Sequence, residues 1–77
     1  DMVLVGGFNV FPNEVDEVLN ACPGIVEAAS AGIKVANSEE ELHAFVVRRD
    51  SGLTAQDVIS HCAQHLTGYK RPRVVHF

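Results

Sequence analysis

Two amphipathic segments, each opened by its own start signal, confine this chain to a fold in which two helices are separated by extended stretches. Pro12 opens the first, because its fixed φ and missing N–H suit the first position of a helix. Glu14, Asp16 and Glu17 crowd the first turns, where carboxylates complement the positive end of the helix dipole. Val15, Val18, Leu19 and Cys22 recur at helical spacing as one apolar stripe, and Pro23-Gly24 ends the segment. The second start is Thr54-Ala55-Gln56-Asp57, which has the form of a capping box. Val58, Ile59, Cys62, Ala63 and Leu66 make its apolar face, and Gly68 is the expected C-terminal stop.

The remaining apolar runs read as strands. Met2 to Val5 stops at Gly6-Gly7, and Phe8 to Phe11 resumes extended chain, which predicts a hairpin or a strand with a turn. Ile25 to Ile33 is small and apolar, with Ala28, Ala29 and Ala31 inside it; a strand is favoured, with helix as the alternative because alternation is poor. Lys34 to Glu41 is polar and reads as a loop, with Glu39-Glu40-Glu41 as a solvated edge. Leu42 to Val47 is a further strand, followed by Arg48, Arg49 and a turn at Asp50-Ser51-Gly52, and Val74 to Phe77 is the last. The order β-β-α-β-β-α-β predicts an α+β fold, a small and mainly antiparallel sheet with two helices, in one domain over residues 1–77. A chain of this size buries only about 60% of its unfolded surface, so the core is small. The first residue is Asp1, and the last four read as a strand stopping in mid-element, so both ends read as cut from a longer chain.

Composition narrows the function classes. No apolar run reaches the roughly 18 residues a membrane span needs, and no basic-then-apolar leader opens the chain. Cys22 and Cys62 form neither a C-x-x-C pair nor a disulfide framework; each falls on a helix's apolar face, which predicts buried free thiols and a reducing, cytoplasmic setting. The net charge of −4 is uneven: every acidic residue lies at or before Asp57, while three of the six Lys and Arg residues fall within Lys70-Arg71-Pro72-Arg73. An acidic chain with so few basic residues is a poor nucleic-acid binder, but a local basic knot suits a local anion.

Three groups of residues could carry chemistry. Gly6-Gly7 permits positive φ and close approach of a ligand to the backbone, although from the residues alone a simple tight turn is the favoured reading. No Lys-Ser/Thr follows, so it is no P-loop. Tyr69-Lys70-Arg71-Pro72-Arg73 sets a ring beside two guanidinium groups and an ammonium, a set able to stack on a base and hold phosphates. Pro72 stiffens the segment; the competing reading is a solvated basic turn with Tyr69 closing the core. His61 and His65 have the i, i+4 spacing of a metal pair, but the stripe turns Cys62 away from them and no third ligand is near, so surface histidines are favoured. Ser30, Ser38, Ser51 and Ser60 lie in no nucleophile-elbow context.

Taken in order, these motifs resemble a known family. The run from Asp1 to Leu19, which contains Gly7-Phe8-Asn9-Val10-Phe11-Pro12-Asn13-Glu14, is similar to the segment just past the hinge of acyl- and aryl-CoA ligases, the adenylate-forming superfamily. Cys22-Pro23-Gly24-Ile25-Val26-Glu27-Ala28-Ala29, His43-Ala44-Phe45-Val46-Val47 and Leu66-Thr67-Gly68-Tyr69-Lys70-Arg71-Pro72 continue the resemblance across essentially the whole chain. The wording of the first and last runs is nearest to bacterial long-chain fatty-acid–CoA ligases.

The resemblance implies a two-step reaction. A carboxylate attacks ATP to give an acyl-adenylate and pyrophosphate, and the CoA thiol then displaces AMP. It implies ATP, CoA and Mg2+ for the full enzyme, with no metal held by this piece, and a large N-terminal domain of the same chain as partner. The small domain rotates between the steps and presents different faces to one site. Gly7 matches the glycine lining the pantetheine tunnel, and Tyr69, Arg71 and Arg73 match positions that meet the nucleotide end of CoA in some relatives. The implied setting is cytoplasmic, at most peripheral to the inner membrane. The family's hinge residue lies before Asp1 and its adenylation lysine beyond Phe77, so this piece is expected to be inert alone. Three departures stand out: Leu4 where the superfamily often has Lys, Lys34 to Glu39 in place of a Pro-Asp-x-x-x-Gly loop, and Ser38-Glu39 where many relatives carry Trp-Gly. The last implies the loss of an adenine contact; Glu40 keeps the pattern. An aryl-CoA ligase, a peptide-synthetase adenylation domain and a stand-alone α+β binding module are the alternatives.

Overall fold

A computed structural model describes residues 2–36 and 39–77. Strands β1 (Val3–Val5) and β2 (Phe8–Val10) pair antiparallel, with Val3 opposite Val10 and Val5 opposite Phe8. Gly6 and Gly7 join them at φ +54° and +84°. These values match the type I′ turn, whose central residues sit near about +60° and +90° and whose twist suits a two-residue hairpin. Helix α1 (Pro12–Asn20) follows at once, with Pro at its first position, and buries Val15 and Leu19. It ends through Cys22 and Gly24, the latter at φ +93°, where a side chain is strained.

Strands β3 (Ile25–Lys34) and β4 (Glu40–Arg48) form a long antiparallel pair, and β5 (Val74–His76) lies parallel to β4 on its other side. Between β4 and β5 come helix α2 (Ala55–His65) and a 3-10 turn at Gly68–Lys70. The central strand β4 alternates as a half-buried strand must: Leu42, Ala44 and Val46 are buried, while Phe45 and Val47 face out. The inward residues join Val3, Val10, Val15, Leu19, Val58, Cys62 and Leu66 in one core. The hairpin can lie on this sheet because β3 carries a glycine there. A Cβ at Gly32 would come within 2.8 Å of Val3 Cγ1.

The α+β order holds, and Ile25–Lys34 is a strand despite its weak alternation. Nine paired positions along β4 and small outward alanines hold it there. Four local features differ from what the sequence predicts. Lys34 pairs with Glu40 inside the sheet, so the expected loop from Lys34 to Glu41 is shorter at both ends; Ser38 lies outside the described residues. Charged side chains at the end of a strand stay solvated and do not stop pairing. Ala63 is exposed and does not belong to the apolar face of α2. Gly68 does not stop α2: the helix ends at His65, Leu66 is extended, and Gly68 begins the 3-10 turn. His61 is half-buried against α1, its Nε2 lying 2.8 Å from the Val18 carbonyl oxygen, while His65 is exposed.

Both cysteines are buried free thiols, and burial pushes Cys62 up to about 11 and Cys22 upward as well. Neither is a ready nucleophile. Among the described residues, no helix is long and apolar enough to cross a membrane.

Candidate functional site

The hairpin tip and the 3-10 turn meet at one end of the domain. Phe8, the first residue after Gly6-Gly7, stacks on Tyr69 with ring centroids 4.5 Å apart and planes 22° from parallel. Offset ring pairs at such a distance contribute about 0.5–1.5 kcal/mol beyond the area they bury. Tyr69 packs against the core, whereas Phe8 remains 55% exposed, so the stack has one anchored ring and one presented ring. A Cβ built on Gly7 meets nothing within 4 Å. Within this domain the glycine is therefore required by its left-handed backbone, and the space above it faces away from the domain.

The basic segment is not a loose cluster of cations. Lys70 Nζ contacts both carboxylate oxygens of Glu14 in α1, at 3.0 and 3.2 Å, and that hydrogen bond raises its pKa above the ordinary lysine value. Arg71 turns towards α2: its Nε donates to the Leu66 carbonyl at 2.8 Å and an Nη donates to the Ala63 carbonyl at 3.2 Å. Pro72 is buried. Arg73 donates its backbone N–H to Leu42 at 2.8 Å, which starts the pairing of β5, and its side chain is 71% exposed with Nε 4.0 Å from Glu41 Oε2.

The structure thus brings Gly7 and Tyr69 together through Phe8, which sequence reasoning passed over. It does not pair Arg71 and Arg73 as a two-guanidinium clamp, because the first closes a helix end and the second lies beside β4. The sequence held one signal for Phe8, a large apolar residue placed directly after a two-glycine turn.

A second group lies on the outer face of the sheet. Glu41 Oε1 sits 3.2 Å from His43 Nε2, and His43 Nδ1 sits 2.9 Å from His76 Nε2. His76 also stacks on Phe45, with centroids 4.7 Å apart. Beside them Ala29, Phe45, Val47, His76 and Phe77 line a shallow groove of about 290 Å³. Its position could not be read from sequence, because it depends on β5 lying parallel to β4. Among the described residues no three His, Cys, Asp or Glu side chains converge as a metal site.

Comparison with known proteins adds the family context. The family model described as the AMP-binding enzyme C-terminal domain matches residues 14–77. The long-chain-fatty-acid–CoA ligase of Escherichia coli O6:H1 is 44% identical over 77 residues, an alignment covering all of this chain and 14% of that protein. Among solved structures, a fatty acyl CoA synthetase of Mycobacterium tuberculosis superposes with a TM-score of 0.93 at 34% identity, over 100% of this chain and 15% of that one. The o-succinylbenzoate CoA synthetase of Bacillus subtilis, in complex with an acyl-adenylate intermediate, superposes at 0.89 with 29% identity, over 99% of this chain and 16% of that one. The chain therefore spans about one-seventh of the length of the relatives it matches.

Proposed function

The chain belongs to the AMP-binding enzyme C-terminal domain family, and on that premise we propose that it is the mobile small domain of an ATP-dependent long-chain fatty-acid–CoA ligase, delivering CoA to an acyl-adenylate. In this reading a larger N-terminal part of the same protein binds ATP, with its Mg2+, and the fatty acid, and forms the adenylate. The small domain then turns its hairpin tip to the adenylate, and the CoA thiolate attacks the acyl carbon and displaces AMP. Fatty acid is favoured over other acids by the name of the 44%-identical relative. The same fold also serves an o-succinylbenzoate CoA synthetase, so acid choice is assigned to the larger part of the protein.

One observation carries the reading: the open space over Gly7, bordered by the Phe8–Tyr69 stack. Pantetheine is a thin, flexible arm, and a hairpin whose tip lacks a side chain can line its path without blocking it. Tyr69 offers a flat ring beside that path, and the exposed Arg73 side chain supplies positive charge on the nucleotide side. Met2, Leu4, Phe8 and Phe11 are all about half exposed around the hairpin, an apolar surface suited to closing against a larger domain.

The test uses the full-length enzyme and separates its half-reactions, pyrophosphate exchange for adenylation and single-turnover acyl transfer to CoA. Gly7→Leu is expected to leave exchange within a few-fold and to slow transfer on the order of 100-fold, as a blocked or misplaced approach does. Leucine also strains the left-handed backbone, so Gly7→Asn is the control, because Asn tolerates that conformation. Asn, a shorter side chain, should slow transfer less than Leu. Equal loss of exchange and transfer in both variants rejects the tunnel role.

A further inference from the structure

Arg71 occupies a position that its charge alone does not explain. The last four carbonyls of a helix have no partner within the helix, and a glycine in the left-handed conformation commonly resolves this. Here α2 uses no such glycine. Leu66 is extended, its N–H bonds back to the Cys62 carbonyl at 2.8 Å, and the guanidinium of Arg71 returns to take the Ala63 and Leu66 carbonyls. A cation at this end also suits the negative pole of the helix dipole. The chain between Leu66 and Arg71 is thereby closed into a short loop, whose centre is the 3-10 turn carrying Tyr69. Two further ties hold that turn: Lys70 to Glu14 on α1, and Tyr69 to Phe8 at the hairpin tip.

We infer that Arg71 is a positioning residue: by closing the end of α2 it fixes Tyr69 against Phe8 beside the Gly6-Gly7 turn, while Arg73 is the cation left to meet the phosphates at the nucleotide end of CoA. This rests on the reading that this face receives CoA, and it divides one basic segment into separate tasks. Lys70 is tied to Glu14, and two nitrogens of Arg71 are tied to carbonyls. Among the described residues, the Arg73 side chain has one charged partner, the Glu41 carboxylate at 4.0 Å, and it is 71% exposed. A residue that sets the shape of the pantetheine path affects every thiol using that path. A residue that meets the nucleotide affects only a thiol that carries one.

The discriminating probe is the acceptor, in the full-length enzyme: CoA against pantetheine, which has the same thiol arm and no nucleotide. Arg71→Ala should lower kcat/KM by about tenfold for both acceptors alike, the loss of hydrogen bonds from a charged donor, with pyrophosphate exchange unchanged. Arg71→Lys, which keeps a charge able to reach helix-end carbonyls, should show a smaller loss in the same one-to-one proportion. Arg73→Ala should raise KM for CoA by about tenfold and leave pantetheine unaffected. In a Phe8→Ala background Arg71→Ala should add little, because the stack it supports is already gone.

Loss confined to CoA in the Arg71 variants makes Arg71 a nucleotide contact and overturns the assignment. Equal loss of pyrophosphate exchange makes it a merely structural cap, and no loss in any assay makes it idle; either result also overturns it. Failure of the broader reading has a different signature, Gly7→Leu and Gly7→Asn losing both half-reactions together whatever the Arg71 variants do.

Discussion

The two helices are held by opposite means. Helix α1 is fastened along its side. The carboxylate of Asp16 accepts from both the backbone N–H and the hydroxyl of Ser30, each at 2.7 Å. One turn on, the amide of Asn20 exchanges two hydrogen bonds with the backbone of Ala28, at 2.9 and 3.0 Å. These side chains do for the free edge of β3 what a neighbouring strand would do, which satisfies its backbone and shields it from pairing with another chain. Helix α2 is fastened mainly at its ends, with one side tie where His61 Nε2 lies 2.8 Å from the Val18 carbonyl oxygen of α1. Thr54 and Asp57 form a reciprocal capping box at the start, and Arg71 closes the finish. A helix stitched along its side is a fixture of the sheet, and a helix held by its ends passes its position on to whatever is attached there. The turn carrying Tyr69 is attached to the end of α2.

If this contrast is right, breaking one mode of attachment should leave the other helix unaffected. The largest effect is expected from Asp16→Ala, which leaves the Ser30 N–H without its acceptor at a cost of about 1–3 kcal/mol. Hydrogen exchange in the full-length protein should show faster opening of Ser30 and the adjoining β3 amides, with the amides of α2 unchanged. Uniform loosening of both helices would show that the domain opens as a single unit and would remove the contrast. Thr54→Ala comes next, at about 1 kcal/mol, the ordinary value for a lost N-terminal cap. Its effect should stay in the first turn of α2 and leave Ser30 protected.

Legibility in the sequence followed the same division. The start of α2 could be read because a capping box is local, with Thr54 and Asp57 three residues apart and each bonded to the other's backbone. The start of α1 could be read from Pro12 alone. The end of α2 was misread, because Gly68 carries the usual stopping signal while the group that stops the helix, Arg71, reaches back five residues across an intervening turn. The lateral stitches were invisible for a related reason. Asp16 in a first turn already has a sufficient explanation in the helix dipole, and nothing local announces that it bonds Ser30 fourteen residues later. Likewise, Gly7 and Tyr69 could be named separately from the resemblance, but their meeting through Phe8 depends on how the hairpin lies over the sheet. Short-range hydrogen bonds leave a mark in sequence, whereas those set by packing leave one only after the fold is known.

The smallest predicted effect concerns the capping box and has a defined direction with pH. The hydrogen bond from the Thr54 backbone, and then that with its side chain, hold the Asp57 carboxyl below its ordinary 3.8. A depressed folded-state pKa means that the carboxylate stabilises the helix start above the unfolded value. That contribution is lost as pH falls through the lower, folded value. Exchange in the first turn of α2, corrected for intrinsic rates, should therefore accelerate as pH falls below the ordinary 3.8 and through the lower folded value. Asp57→Asn keeps an oxygen able to accept from the Thr54 N–H but carries no charge, so it should flatten the pH dependence and keep part of the protection. A variant whose first turn still loosens with acid as steeply as the parent would place the titrating group elsewhere. The capping box would then no longer explain how the start of α2 is held.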